Sequence, residues 1–143
     1  MKRVLYLDVD GVLQYAKDNQ WHPRLDAGDF LRWATSQFEC RWLTNWVNPN
    51  RTVPKQLGIA VPEGITEVHW RKAGPGYPYK AHAISDCEDW LWLEDEPSEF
   101  DIADLRRRGR LDRLIIVDRF KPFVLMGQIR ARLSETDSVG GGA

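Results

Sequence analysis

Cysteine is scarce in this 143-residue chain, with only Cys40 and Cys87. Neither has a second cysteine or a histidine at ligand spacing, so a zinc site is not expected. A disulfide framework is not implied either, which suits a reducing compartment. Cys40 sits in an apolar run and reads as a buried thiol. Excess charge is also missing: 20 basic residues face 21 acidic ones, for a net charge of −1. No bulk basic field announces nucleic acid, and no acidic tail announces disorder. Long apolar runs are absent, and none approaches the roughly 20 residues that a membrane span needs. The opening MKRVLYLDVDG meets acids too early for a signal peptide. The expectation is a cytoplasmic protein without a membrane partner. The three histidines, His22, His69 and His82, have no triad-like setting.

Tryptophan is abundant, with seven residues. Most read as core. Trp21, Trp46 and Trp70 lie in polar or loop-like contexts and are better candidates for a stacking surface. The length corresponds to about one domain, taken as residues 1–135, with 136–143 (SVGGGA at its end) as a flexible tail.

The chain alternates between short apolar runs and helical patterns. Val4–Leu7 reads as a buried strand, and Gln14–Arg24 as a polar, irregular flap. Asp26–Phe38 has helical spacing, with Asp26 or Asp29 as its cap. Arg41–Leu43 is a second strand, leading into Thr44. Asn48–Leu57 is a short helix stopped by Gly58, and Ile65–Trp70 a third strand. AGPGYPY, residues 73–79, is a loop. A helix over Lys80–Cys87 leads to a fourth strand, Trp90–Leu93. A helix over Asp101–Gly109 and a fifth strand, Leu114–Val117, follow, and Phe123–Leu133 is a closing helix. This order predicts an α/β fold: a three-layer, Rossmann-like domain with a central parallel sheet of about five strands and helices on both faces.

In such a sheet, ligands bind beyond the carboxyl ends of the strands. There the sequence places Asp8 and Asp10 after the first strand, Thr44 and Asn45 after the second, and Glu94 and Asp95 after the fourth. Lys80 opens the helix before the fourth strand. Together these form a set for phosphate and metal chemistry. A phosphate ester repels an anionic nucleophile unless a cation screens it, and Mg²⁺ takes carboxylate oxygens. Asp8 and an acid of the fourth strand can hold the metal, with the Asp10 backbone carbonyl as a further ligand. A carboxylate can then attack phosphorus, and Asp10 can serve as acid and base. Thr44, Asn45 and Lys80 suit the phosphoryl oxygens. Singly, each piece has a plainer reading. Asp-Gly between apolar runs is a hairpin signal, and Lys80 alone is a solvated lysine. Val12 argues against a calcium loop. The joint order of the pieces favours the phosphate set.

That order resembles the haloacid dehalogenase superfamily of phosphohydrolases. VLYLDVDGVL matches its first motif, an apolar strand followed by DxDG. CRWLT matches the second, YKAHAI the lysine motif, and WLWLED the acidic fourth motif. The resemblance covers about residues 3–134. It implies Asp8 as nucleophile, Asp10 as general acid and base, and Thr44 and Lys80 as phosphate ligands. It also implies Glu94 and Asp95 as metal-side acids and Mg²⁺ as cofactor. Lys72 is the other lysine available for the third motif, and the choice between Glu94 and Asp95 as direct ligand stays open. The segments Leu13–Thr44 and Thr44–Lys80 are too short for a sizeable cap, so a compact capless member with an open site is expected.

An open site suits a large substrate such as a nucleic-acid end, with Arg24, Arg51, Arg71 and Lys72 near the backbone. It also leaves room for a lid from a second subunit in a homo-oligomer. The alternatives are a phosphatase for nucleotides or sugar phosphates, and a catalytically silent binding module.

Overall fold

The computed structural model describes residues 2–72, 76–122, 125–127 and 129–133. Its strands are β1 (Val4–Leu7), β2 (Gln14–Lys17), β3 (Gln20–Pro23), β4 (Glu39–Trp42), β5 (Thr66–Glu67), β6 (Trp90–Glu94) and β7 (Leu114–Ile116). The helices are α1 (Ala27–Gln37), α2 (Pro49–Leu57) and α3 (Glu99–Arg107). Residues 125–127 and 129–133 are helical as well. Residues 73–75 of the expected loop, 123, 124 and 128 of the closing helix, and the expected tail lie outside the described residues.

Five strands form one sheet in the order β5-β4-β1-β6-β7, and every pairing in it is parallel. The side chains alternate with the two-residue period of a strand. Leu5, Leu7, Leu91 and Leu93 point to one face, where they pack with Phe30, Leu31 and Val53 of α1 and α2 and with Leu125 and Ile129. Val4, Tyr6, Trp90 and Trp92 point to the other, against Ala81, Ile84 and Leu105. β1 and β6 are therefore buried on both sides, which is why they are apolar at every position until Glu94. The result is the expected α/β domain of three layers. No separate domain interrupts 13–44 or 44–80 among the described residues.

Four local expectations are corrected. The flap at 14–24 is an antiparallel hairpin of β2 and β3. Asp18 and Asn19 form its turn, with φ of 54° and 58°. Paired positive φ values match the twist of a two-residue hairpin, and Asp and Asn tolerate them better than most residues. The third strand keeps only two residues. Val68 N still donates to the carbonyl of Trp42, but the Trp70 indole then turns in to the Thr44 carbonyl. Trp70–Lys72 becomes a 3₁₀ turn.

The helix expected over 80–87 shrinks to a 3₁₀ turn, Lys80–Ala83. Side chains of α3 and of its C-cap residue take over its backbone groups. Asp101 accepts from Ala81 N (2.8 Å), and Arg108 donates to the carbonyls of Ala81 (3.1 Å) and Ile84 (2.7 Å). Asp101 also completes a capping box with Ser98 at the start of α3. Finally, Asp26 stands at the N-cap of α1 without capping it. Its carboxylate accepts instead from the backbone of Leu125 and Met126, which caps the closing helix.

Candidate functional site

The strand order fixes where chemistry can gather. From β1 the chain moves outward through β4 to β5, then returns to the other side of β1 for β6 and β7. The switch point lies between β1 and β6, where parallel sheets open a crevice at their carboxyl ends. Leu7 is level with Leu93 and with Trp42. Asp8 therefore leaves the sheet beside Glu94 on one side, and beside Leu43 and Thr44 on the other. No helix is needed to bring these groups together, because strand register does it.

Asp8 and Glu94 are buried, and Lys80 is buried between them. Its Nζ donates to Asp8 Oδ2 at 2.9 Å and to Glu94 Oε1 at 2.6 Å. One oxygen from each of Asp8, Glu94 and Asp95 lies within 4.8 Å of the others. Burial and the neighbouring Asp8 carboxylate push the Glu94 carboxyl up to about 9, against the pull of Lys80. Burial also raises Asp95, although its hydrogen bond with Glu94 and the charge of Arg119 oppose it. For Lys80, burial works to lower the ammonium, but Asp8 and Glu94 outweigh it and hold it above its ordinary value. Asp8 and Glu94 thus share the Lys80 ammonium, while Asp95 is paired with Arg119. The donor set of hard oxygens is the kind that Mg²⁺ takes, so Asp8, Glu94 and Asp95 fit a divalent cation.

The structure gathers some expected residues and leaves others apart. Asp10 is half-buried, and its carboxylate lies outside the three-carboxyl group, accepting from Gln14 Nε2 at 2.9 Å. Thr44 is buried at the strand edge, and its Oγ1 accepts from Trp46 N. Asn45 is exposed and accepts from Arg71. Lys80 rather than Lys72 meets Asp8. Lys72 is exposed on the 3₁₀ turn after β5.

Arg24 departs most from expectation. It is buried and donates to the carbonyls of Val12 (2.9 Å), Gly11 (3.4 Å), Asp118 (3.3 Å) and Lys121 (2.8 Å). It clamps the turn after β1 to the turn after β7 and is no surface cation.

Three further residues shape the site. Gly11 has φ +81°, and a Cβ there would stand 2.1 Å from Asp95 Cγ. Only glycine lets the turn after β1 come this close to the acid after β6. Arg119 Nε pairs with Asp95 Oδ2 at 2.8 Å. Its backbone carbonyl accepts from Ala16 N of the hairpin at 2.7 Å, which ties the flap to the site. Asp101 holds the turn that carries Lys80. The DG dipeptide was a visible signal for Gly11. Arg119 and Asp101 had none, since each acts on a partner distant in sequence.

Neither Cys40 nor Cys87 is in a disulfide. No helix among the described residues is long and apolar enough to cross a membrane. No protein-family model matches the chain, and no curated protein matches it.

Proposed function

We propose that this chain is a magnesium-dependent phosphomonoester hydrolase of the haloacid dehalogenase type, with Asp8 as nucleophile. The observation that carries this reading is the Lys80 bridge between Asp8 and Glu94, with Asp95 alongside, at the switch point of the sheet. A buried carboxylate beside a buried ammonium is poised against an anionic group that brings its own charge.

A carboxylate oxygen of Asp8 bonds to phosphorus as the ester P–O bond breaks, and Asp10 gives its proton to the departing oxygen. Asp10, now anionic, takes a proton from water. That water attacks phosphorus and breaks the acyl phosphate, which frees inorganic phosphate and restores Asp8. Thr44, Asn45 and Lys80 hold the phosphoryl oxygens, where charge builds in the transition state. Mg²⁺ held by Asp8, Glu94 and Asp95 supplies the charge that lets two anions approach. The lack of an inserted cap among the described residues favours a substrate too large to be enclosed, such as a nucleic-acid end. A cytoplasmic setting suits two reduced thiols.

Phosphate release tests this directly. Glycerol phosphate, sugar phosphates, nucleotides and oligonucleotides phosphorylated at either end are offered with Mg²⁺, and Asp8→Asn serves as the blank. Turnover lost in the blank and with chelator is expected. A folded, Mg²⁺-treated protein that turns over nothing, or an active Asp8→Asn variant, points instead to a binding module.

A further inference from the structure

The segments that follow β4 and β5, Thr44 among them, line a cleft of about 310 Å³, near the lower end of ligand-site volumes. Its walls are mostly apolar, with Trp46 and Trp70 half-buried in them. Trp70 is fixed by its indole N–H, which donates to the Thr44 carbonyl at 2.9 Å. The wall of the cleft is thus bonded to the residue beside the nucleophile. Arg71 lies with its guanidinium 4.7 Å from the Trp70 ring centre, and its Nη2 donates to Asn45 Oδ1 at 2.7 Å. Lys72 follows it at the rim. Glu67 is the sole acid among the lining residues.

We infer that this cleft holds the leaving group of the substrate, and that the leaving group carries a nucleobase. The inference rests on the hydrolase reading above and names its substrate class. A planar ring finds two indoles and a guanidinium already stacked on one of them, the surfaces on which bases stack. Arg71 is ordered by two contacts before any ligand arrives, so less freedom is lost on binding. The excess of cations over acids suits an anionic ligand. A sugar alone would leave the aromatic walls without a partner. Both a free nucleotide and the terminal nucleotide of a strand carry this chemistry.

The test has a binding arm and a turnover arm. In the first, metal-free Asp8→Asn protein is titrated calorimetrically with a nucleoside monophosphate, an end-phosphorylated oligonucleotide and glycerol phosphate. Nucleobase ligands are expected to bind at least about tenfold tighter than glycerol phosphate, and Trp46→Ala or Arg71→Gln to remove most of that margin. In the second arm, the ratio of kcat/KM for nucleotide over glycerol phosphate is expected to fall about tenfold in either variant, with circular dichroism confirming the fold.

A strand that binds tighter than the mononucleotide, with a steep salt dependence lost in Lys72→Gln, identifies the nucleic-acid end as the source. Equal binding identifies the free nucleotide. Equal binding of glycerol phosphate and nucleotide, or variants that leave the margin intact, overturns the inference even if every ester is hydrolysed. Tight nucleotide binding without hydrolysis of any ester supports the cleft and overturns the hydrolase reading instead.

Discussion

Glu94→Gln is expected to make the metal-free protein more stable at neutral pH, although it removes a residue of the site. The folded chain raises Glu94 from its ordinary 4.5 to about 9, chiefly by burial and the Asp8 charge. At pH 7 the folded protein therefore holds a proton that the unfolded chain has released. Restoring it across 2.5 pH units, at about 1.4 kcal/mol each, costs about 3–4 kcal/mol. The sign follows from the direction of the shift. The contribution is fully present below pH 4.5 and is lost progressively as pH rises toward 9.

Glutamine is neutral throughout and keeps the shape and the acceptor for Lys80, so it avoids this cost, at the loss of the oxygen that accepts from Asp95 N at 3.0 Å. Relative to the parent it gains about 3–4 kcal/mol between pH 4.5 and pH 7. Lys80, raised above an ordinary 10.5, stays charged in both states across this window. Asp86, held down to about 2 chiefly by its bond with Arg108, titrates below it. Asp95 is also raised, and comparing variant with parent at each pH removes most of its share. Urea unfolding followed by tryptophan fluorescence, with chelator present, measures the difference. A difference that does not change between pH 5 and 8, or a variant less stable than its parent at pH 7, refutes the electrostatic reasoning.

Other outcomes follow from the same contacts. Lys80→Met leaves Asp8 and Glu94 facing each other without a cation, and is expected to lose about 3–5 kcal/mol in thermal or urea unfolding, together with activity. Gly11→Ala drives a methyl group into Asp95 at a positive φ. A loss of about 1–2 kcal/mol or more in unfolding is expected, with weaker Mg²⁺ binding by titration. Asp101→Ala opens the capping box and frees Ala81 N. It should lose about 2 kcal/mol and release the Lys80 turn, which faster amide exchange at Ala81 would report.

The sheet was legible because its strands obey one-dimensional rules. Val4–Leu7 and Trp90–Leu93 are apolar at every position, which only a strand covered on both faces explains. The acids that end them could then be placed by topology alone, and Asp8, Glu94 and Asp95 do meet. The segments that failed are those whose backbone bonds go to distant side chains. The turn at Lys80 has a helical pattern, but Asp101 and Arg108 satisfy its amide and carbonyls from another helix. Ile65–Trp70 has a strand composition, but an indole bond to Thr44 diverts it after two residues. Arg24 looked like a surface cation, yet four carbonyls from two turns bury it. The hairpin at 14–23 was not legible, because polar neighbours hide the strand alternation around its Asp18-Asn19 turn.

The central claim is a covalent bond between Asp8 and phosphorus. Protein turning over its best phosphate ester is quenched in acid, reduced with borohydride and mapped by peptide mass spectrometry. An aspartyl phosphate at Asp8 is reduced to homoserine at that position, and the signal is expected to depend on Mg²⁺ and on substrate. Phosphate release with Asp8 unmodified under every quench condition, or with the mark on another carboxylate, would contradict the account.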